Sequence, residues 1–522
     1  MYNVILVIIL ILVAVIVLPP QLTFIYWYWK GVDTVSPLSF LGHLAKLVFK
    51  KEPLFINLQH FYHTMKKNGK KFGGYHLLIK PIFVPTDLDL IKKMLISDFD
   101  HFTDHIGYVN AENDPISLNI MNSKGSHWHR IRSTLSPAFT SAKSRVIFDT
   151  AIKCGENFKQ LIDKYVQRNE SLDIKEINER FTTDIIVSYG FGIESNALQS
   201  GISECRKLVS ELAASIRFML VIFFPGLFSL FRMTSYGKDV TNFFINLVEA
   251  TAKYRKQNGI VRDDFIHHLL QNSSDHTTTN SEVKEMKNRG DKGLSLNEMA
   301  GQCFFFYGAG YETSAATISF TLHELALNQG IQNKVREEIK ITLEKYNGKI
   351  TYEAVKEMEY LNNCLNESLR MYPAVPTNTR ICTKSYKIPN SNVVIKKGTY
   401  VFLPMYALHR DPEHFPNPEK FDPDRFSKGR NKNREPPAFM PFGDGPRKCI
   451  GKCYHCSQHV CLLTPFIGYK FAILQVQVAL VVLLKHFRFF PHPDIDVPLK
   501  FRPTVILNPI KPLKINVEQL EE

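Results

Sequence analysis

Phe442-Gly-Asp-Gly-Pro-Arg-Lys-Cys449-Ile-Gly451 is the stretch on which the reading of this chain turns. Its glycines and proline permit a tight turn that brings backbone close to a flat ligand. A cysteine leaving such a loop at the start of a helical segment has its thiolate stabilised by the helix N-terminus and the N–H groups there. Arg447 precedes the cysteine closely enough to reach an anionic substituent of that ligand. Taken alone, Cys449 also fits a buried structural thiol, so the loop around it carries the chemical reading.

Other segments extend the pattern. Gly308-Ala-Gly-Tyr-Glu-Thr313 falls inside a helical stretch, where each glycine is unfavourable by about 1 kcal/mol against alanine. Glycines beside Glu312 and Thr313 predict a local opening of that helix, lined by an acid and a hydroxyl; helix packing is the bland alternative. Glu367-Ser-Leu-Arg370 puts opposite charges on one helix face, and Phe421-Asp-Pro-Asp-Arg-Phe426 supplies another cation, Arg425. Trp128 and Arg132 share a third helix, and Arg380 follows Tyr372-Pro373. Arginines from separate segments suit a ligand carrying two carboxylates, because partly buried bidentate pairing is strong.

The pattern Phe-x-x-Gly-x-Arg-x-Cys-x-Gly resembles the cysteine loop of cytochromes P450 at every fixed position, and the other segments follow in the family's order. The resemblance covers nearly the whole chain. It is most like the microsomal group that holds insect family-six and vertebrate family-three enzymes. It implies a fold that is mainly α with a small β region, set after an N-terminal transmembrane helix. Its cofactor would be haem b (iron protoporphyrin IX), with Cys449 as the axial thiolate. Phe442 and Arg447 would complete the loop, and Trp128, Arg132 and Arg380 would meet the propionates. Thr313 would hydrogen-bond dioxygen and Glu312 would relay protons. Glu367, Arg370 and Arg425 would form the structural network behind the loop. The hinge Pro37-Leu-Ser-Phe-Leu-Gly42 departs from the group by lacking its proline cluster.

Bulk properties agree with a membrane-bound enzyme. The chain has 522 residues, 44% hydrophobic and 22% charged, an ordinary globular balance able to bury a cofactor-sized cavity. A net charge of +14 suits an anionic membrane surface or an acidic partner; no arginine-rich tract or nucleic-acid motif accompanies it, so no nucleic-acid partner is expected. The nine cysteines do not form a disulfide framework. Val4 to Leu18 is apolar and the aromatic stretch Leu22 to Trp29 follows. Together they reach the about twenty residues a bilayer core requires. Lys30, Lys46, Lys50 and Lys51 lie after this segment and no lysine precedes it, which favours a cytoplasmic catalytic part. Residues 1–29 therefore read as a signal anchor in the endoplasmic reticulum membrane and 30–522 as one catalytic domain. The sequons at Asn169, Asn272 and Asn366 should stay unmodified.

Along the chain, Pro53 to Asp98 reads as a small β-rich region, and Trp128 to Gln271 as helical. Ile216 to Phe231, broken at Pro225-Gly226, reads either as a buried helix pair or as a greasy lid. Asn272 to Gly293 is a polar loop. Ser295 with Glu298 forms a capping box opening a helix to Asn328. Substrate-contact regions are expected at Ile106 to Met121, Ile216 to Phe231, Phe304 to Ala309 and Val375 to Thr379.

One segment breaks the pattern. After Gly451 the chain reads Lys452-Cys-Tyr-His-Cys-Ser-Gln-His-Val-Cys-Leu-Leu-Thr-Pro-Phe-Ile-Gly468, and only then Tyr469-Lys-Phe-Ala-Ile-Leu-Gln475. Joining Gly451 to Tyr469 restores a helix through Leu484. The insertion reads as a retained intron or annotation error, as a loop extruded by the fold, or as a metal knuckle of Cys453, Cys456, His459 and Cys461. Pro465 cannot sit inside a helix without a cost of about 3 kcal/mol.

The resemblance implies a monooxygenase that inserts one oxygen atom from O2 into lipophilic compounds such as xenobiotics, plant toxins or steroids. Electrons would come from NADPH through cytochrome P450 reductase, with cytochrome b5 as an optional second donor. The alternative is an inactive or mis-spliced isoform, because of the 452–468 insertion. An isomerase or dehydratase needing no reductase is opposed by Glu312-Thr313, and a zinc-regulated interaction protein would rest on the knuckle alone.

Overall fold

The computed structural model describes residues 22–35, 52–77, 80–200, 221, 224–274, 293–427, 436–450 and 468–520. Its main helices are α1 (Leu54–Lys67), α2 (Gly125–Leu135), α3 (Ser141–Gln167), α4 (Ile174–Phe191), α5 (Lys238–Asn258), α6 (Phe265–Gln271), α7 (Leu296–Leu327), α8 (Gln329–Lys345), α9 (Glu359–Met371) and α10 (Gly468–His486). The strands that matter are β1 (Phe72–Leu77), β2 (Lys80–Pro85), β3 (Leu172–Asp173), β4 (Asn378–Ile381), β5 (Tyr400–Leu403), β6 (Phe487–Pro491) and β7 (Lys514–Gln519). One sheet has the order β1-β2-β5-β4, with only the β2/β5 pair parallel; a second has the order β3-β7-β6.

Helix α7 is the axis of the core. The predicted capping box starts it: Ser295 Oγ accepts from Glu298 N, and a Glu298 carboxylate oxygen accepts from Ser295 N at 2.9 Å. No proline interrupts it, and almost every residue from Met299 to Ala326 outside the 308–313 stretch is buried. Around it pack α4, α5 and α10. Asn178 of α4 donates to Ser319 Oγ at 2.9 Å, and Thr182 Oγ1 donates to the Tyr311 carbonyl at 3.0 Å.

The glycines of α7 behave differently from the expectation. The helix runs unbroken through Gly308 to Thr313, so no opening forms there. Gly310 serves packing: a Cβ at this position would lie 2.5 Å from Ile186 Cδ1 of α4.

The expected β-rich region from Pro53 to Asp98 is only half correct. Phe55, Leu58, Phe61, Tyr62 and Met65 recur at helical spacing and are buried on one face of α1. The hairpin β1–β2 follows, and the chain is helical again at Leu88–Lys92. Short apolar runs are ambiguous between the two periods, and tertiary burial decided for helix.

Residues 1–21 lie outside the described residues, and among those described no helix is long and apolar enough to cross a membrane. The chain is helical over 22–29. Trp27 of that turn is buried on the sheet, where a Cβ at Gly74 would come within 2.4 Å of its ring; Tyr28 and Trp29 are exposed. Pro225–Leu230 is a short helix, and Leu230 and Phe231 beside it are 73% and 67% exposed. The described end of the 216–231 run is therefore no buried helix pair.

Candidate active site

The cysteine loop takes its shape from two left-handed glycines, Gly443 at φ +72° and Gly445 at φ +71°. At Gly445 no side chain can exist, since a Cβ would fall 1.6 Å from the Leu95 carbonyl oxygen. The turn closes when Lys448 N donates to the Gly445 carbonyl and Cys449 N to the Phe442 carbonyl, each at 3.1 Å. Cys449 emerges with its thiol on a cavity of about 610 Å³. The residues that would carry a helix directly from the cysteine, 451–467, lie outside the described residues, as do Cys453, Cys456, His459 and Cys461; α10 begins at Gly468.

The cavity wall is mostly apolar, built from Phe139, Phe306, Phe402, Phe471, Leu369 and Val476 among others. Thr313, Phe442, Arg447 and Cys449 all line it, as the sequence reading requires of a shared site. Ile106, Ile120, Met121, Phe305, Phe306, Ala309 and the whole of Val375 to Thr379 line it too, which agrees with three of the four expected contact regions. The described part of Ile216 to Phe231 does not. Leu54, Leu77, Phe402 and Pro503 to Val505 do line it and were not foreseen, because they come from segments far apart in sequence.

Glu312 is not on the cavity wall. Burial raises its pKa, with Lys175 and Glu179 of α4 as the neighbouring charges. Thr313 donates its hydroxyl to the Ala309 carbonyl at 2.7 Å. The acid and the hydroxyl, adjacent in sequence, thus lie on different sides of α7.

Arg447 is occupied in a way the sequence reading missed. Nε donates to the Thr103 carbonyl and Nη2 to the Ser123 carbonyl, each at 2.7 Å, while Nη1 reaches the Ile120 carbonyl at 3.2 Å. Its guanidinium also stacks on Trp128, 4.1 Å from the ring centroid. It therefore ties the cysteine loop to the 103–123 segment. Arg132 also lies over this ring, 5.8 Å from its centroid.

Arg380, fully buried on β4, directs Nη1 to Asn378 Oδ1 and the Thr379 carbonyl, while Nε and Nη2 have no acceptor. Burial lowers the pKa of Arg380, and burial with the nearby cations Arg380 and Arg132 lowers that of Arg447, each to about 9. A buried cation with two orphaned donors is costly unless an anion meets it. His105 adds to this corner and no sequence motif marks it. Its Nδ1 lies 2.9 Å from the Thr379 carbonyl, the ring lines the cavity, and burial plus Arg380 and Arg447 push its pKa well down.

Arg380, Arg132 and Trp128 are not themselves on the cavity wall, but Arg380 lies directly behind His105, Asn378 and Thr379, which are. An apolar cavity with a thiol on one wall and this under-satisfied cation behind another fits a flat, mostly apolar dianion such as haem. Replacing Arg380 with Met should speed haem loss by about tenfold, one charge-assisted hydrogen bond's worth. Transfer of haem to an excess of a scavenging protein, followed by absorbance, checks this.

Behind the loop, Glu367 and Arg370 of α9 pair at 2.7 Å with both side chains fully buried, and Arg425 Nε reaches the same carboxylate at 3.1 Å. Arg370 Nη1 donates to the His409 carbonyl, and His409 Nε2 accepts from Met440 N at 3.0 Å. Burial and the two flanking arginines hold His409 down to about 3, so it stays a neutral acceptor. The network thus reaches the cysteine loop through His409, which the sequence did not single out.

The family model described as Cytochrome P450 matches residues 34–453. This chain belongs to the cytochrome P450 family. It is 36% identical over 510 residues to cytochrome P450 6a2 of Drosophila melanogaster, covering 95% of this chain and 96% of that one. It is 36% identical over 493 residues to probable cytochrome P450 6a14 of the same organism, covering 92% of each. Cytochrome P450 6k1 of Blattella germanica is 34% identical over 493 residues, covering 91% of this chain and 89% of the relative. The chain is a P450 monooxygenase with haem as the family's cofactor, mostly helical with a small sheet region.

Proposed function

We propose that this P450 oxidises lipophilic small molecules of the xenobiotic, plant-toxin or steroid kind, using haem b held through Cys449. The observation that carries the reading is a single apolar cavity with the Cys449 thiol and the Thr313 hydroxyl both on its wall. Haem supplies the oxidising chemistry when bound. Cys449, presented by the Gly443–Gly445 turn, supplies the thiolate. Arg380, Arg132 and Trp128, with His105 beside them, would hold the haem carboxylates. The phenylalanines exclude water and orient an apolar substrate. Thr313 presents its Oγ1 to the cavity as an acceptor and can donate there once it releases the Ala309 carbonyl, and Glu312, raised by burial, holds a proton on the α4 side of α7. Arg447 fixes the loop to the 103–123 segment, and Glu367, Arg370 and Arg425 hold it from behind.

We further propose one catalytic domain (30–522) after a membrane anchor (1–29), on the cytoplasmic face of the endoplasmic reticulum. The apolar run Val4 to Leu18 and the exposed rings of Tyr28 and Trp29 support this. Electrons would then arrive from NADPH by way of cytochrome P450 reductase, with cytochrome b5 as a second donor.

A second reading is an isoform disabled by residues 452–468. The family match stops at residue 453, inside this segment, while the alignment to cytochrome P450 6a2 spans 95% of the chain and so continues beyond it. The test is the carbon monoxide difference spectrum of the reduced protein, with and without Lys452 to Gly468. A red-shifted thiolate band in both makes the segment an extruded loop in a competent enzyme. A band in the deletion alone makes the full chain a defective isoform. A band in neither overturns the assignment of Cys449.

A further inference from the structure

Hydroxyl side chains along α7 share one habit. Thr313, Thr317, Ser319 and Thr321 each donate to the carbonyl four residues back, at 2.7, 2.8, 2.6 and 2.8 Å. Such back-bonding is how a buried helical hydroxyl ordinarily satisfies its proton. Ser314 breaks the habit. Its Oγ accepts from Gln475 Nε2 of α10, and the Gly310 carbonyl, its own back-bonding acceptor, takes the same amide nitrogen at 3.4 Å.

Gln475 is fully buried, and its Oε1 has no protein partner. Ser314 lines the same cavity as Thr313 and Cys449. Among the described residues the serine oxygen accepts from this amide and donates to no protein acceptor, the Gly310 carbonyl included. A hydroxyl has one proton and two acceptor sites. The amide fills one acceptor site and leaves the proton uncommitted, and the cavity that Ser314 lines is where a group could take it.

We propose that Ser314 is a second proton-donating hydroxyl of the active site, beside Thr313, and that Gln475 is its positioning residue. The hydroxyl holds an ordered water in the cavity and hands it a hydrogen bond. Gln475 has no titratable proton, so it acts only by setting the direction of the serine O–H. Thr313 is back-bonded to Ala309 and must break that bond to donate into the cavity, whereas the proton of Ser314 is committed to no protein acceptor. The proposal rests on the reading of this cavity as the P450 oxygen-activating site.

The test compares Ser314→Ala, Gln475→Leu and the double variant with the full chain. Alanine suits a helix interior, so the first variant keeps the fold. Haem content and the reduced carbon monoxide band are recorded first, then the ferric low-spin fraction without substrate, then peroxide released per NADPH consumed. Each single variant should lower the low-spin fraction and raise peroxide per NADPH by about threefold to tenfold, the worth of one hydrogen bond. The double variant should add nothing further, since the amide acts through the serine. Unchanged peroxide in Ser314→Ala, or additive effects of the two substitutions, would overturn the proposal. A band missing from the unsubstituted chain and from its 452–468 deletion alike overturns the underlying haem reading instead, and this inference falls with it; a band in the deletion alone moves the same three variants to that background.

Discussion

Replacing Cys449 with Ser is expected to abolish the red-shifted carbon monoxide band and all monooxygenase turnover. The substitution keeps the side chain's size and leaves the Gly443–Gly445 turn intact, so the loop should still form. What disappears is an anionic sulfur. A cysteine thiolate bound to the iron would push electron density onto it, and a serine hydroxyl would not. Among the described residues Cys449 is the only cysteine on the cavity wall. The difference spectrum of the reduced variant is the check. A persisting thiolate band would mean that another sulfur reaches the iron, and Cys453, Cys456 and Cys461 would be the first to test.

Glu367→Ala is expected to cost about 3–5 kcal/mol of stability, the range for removing one partner of a buried charge pair. Glu367 and Arg370 are both fully buried, and the carboxylate also accepts from Arg425 Nε and Asp422 N. Its removal leaves two guanidinium groups facing each other in low dielectric. Haem uptake should fall as well, because Arg370 steadies the His409 carbonyl and His409 accepts from Met440, next to the cysteine loop. Replacing both Glu367 and Arg370 with Met should cost less than the single change, since no unpaired charge remains from that pair. Denaturant unfolding of the variants, with haem content measured alongside, distinguishes the two cases.

Linear motifs were legible because their constraints are local. The cysteine loop needs glycine at a left-handed position pressed on the Leu95 carbonyl, and that requirement is written at Gly445 itself. The capping box of α7 lies within four consecutive residues, Ser295 to Glu298. The partners of Arg447 were not legible. Three backbone carbonyls look alike in any sequence, and only folding brings Thr103, Ile120 and Ser123 around one guanidinium. The same holds for His105 against Thr379, His409 against Met440, and Gln475 against Ser314.

Helix α1 was missed for a related reason: its apolar residues fit two periods, and burial chose one. Glu312 and Thr313 were read as neighbours acting together, but adjacent residues on a helix point about 100° apart, and the packing of α4 decided which of them would face the cavity. By itself, then, the sequence determined the family, the thiolate loop and the long central helix, because backbone conformation and capping depend on near neighbours. Which side chains meet across the cavity, and which are held away from it, was decided by the tertiary structure, because contacts between distant segments exist only once the helices and the sheet have packed.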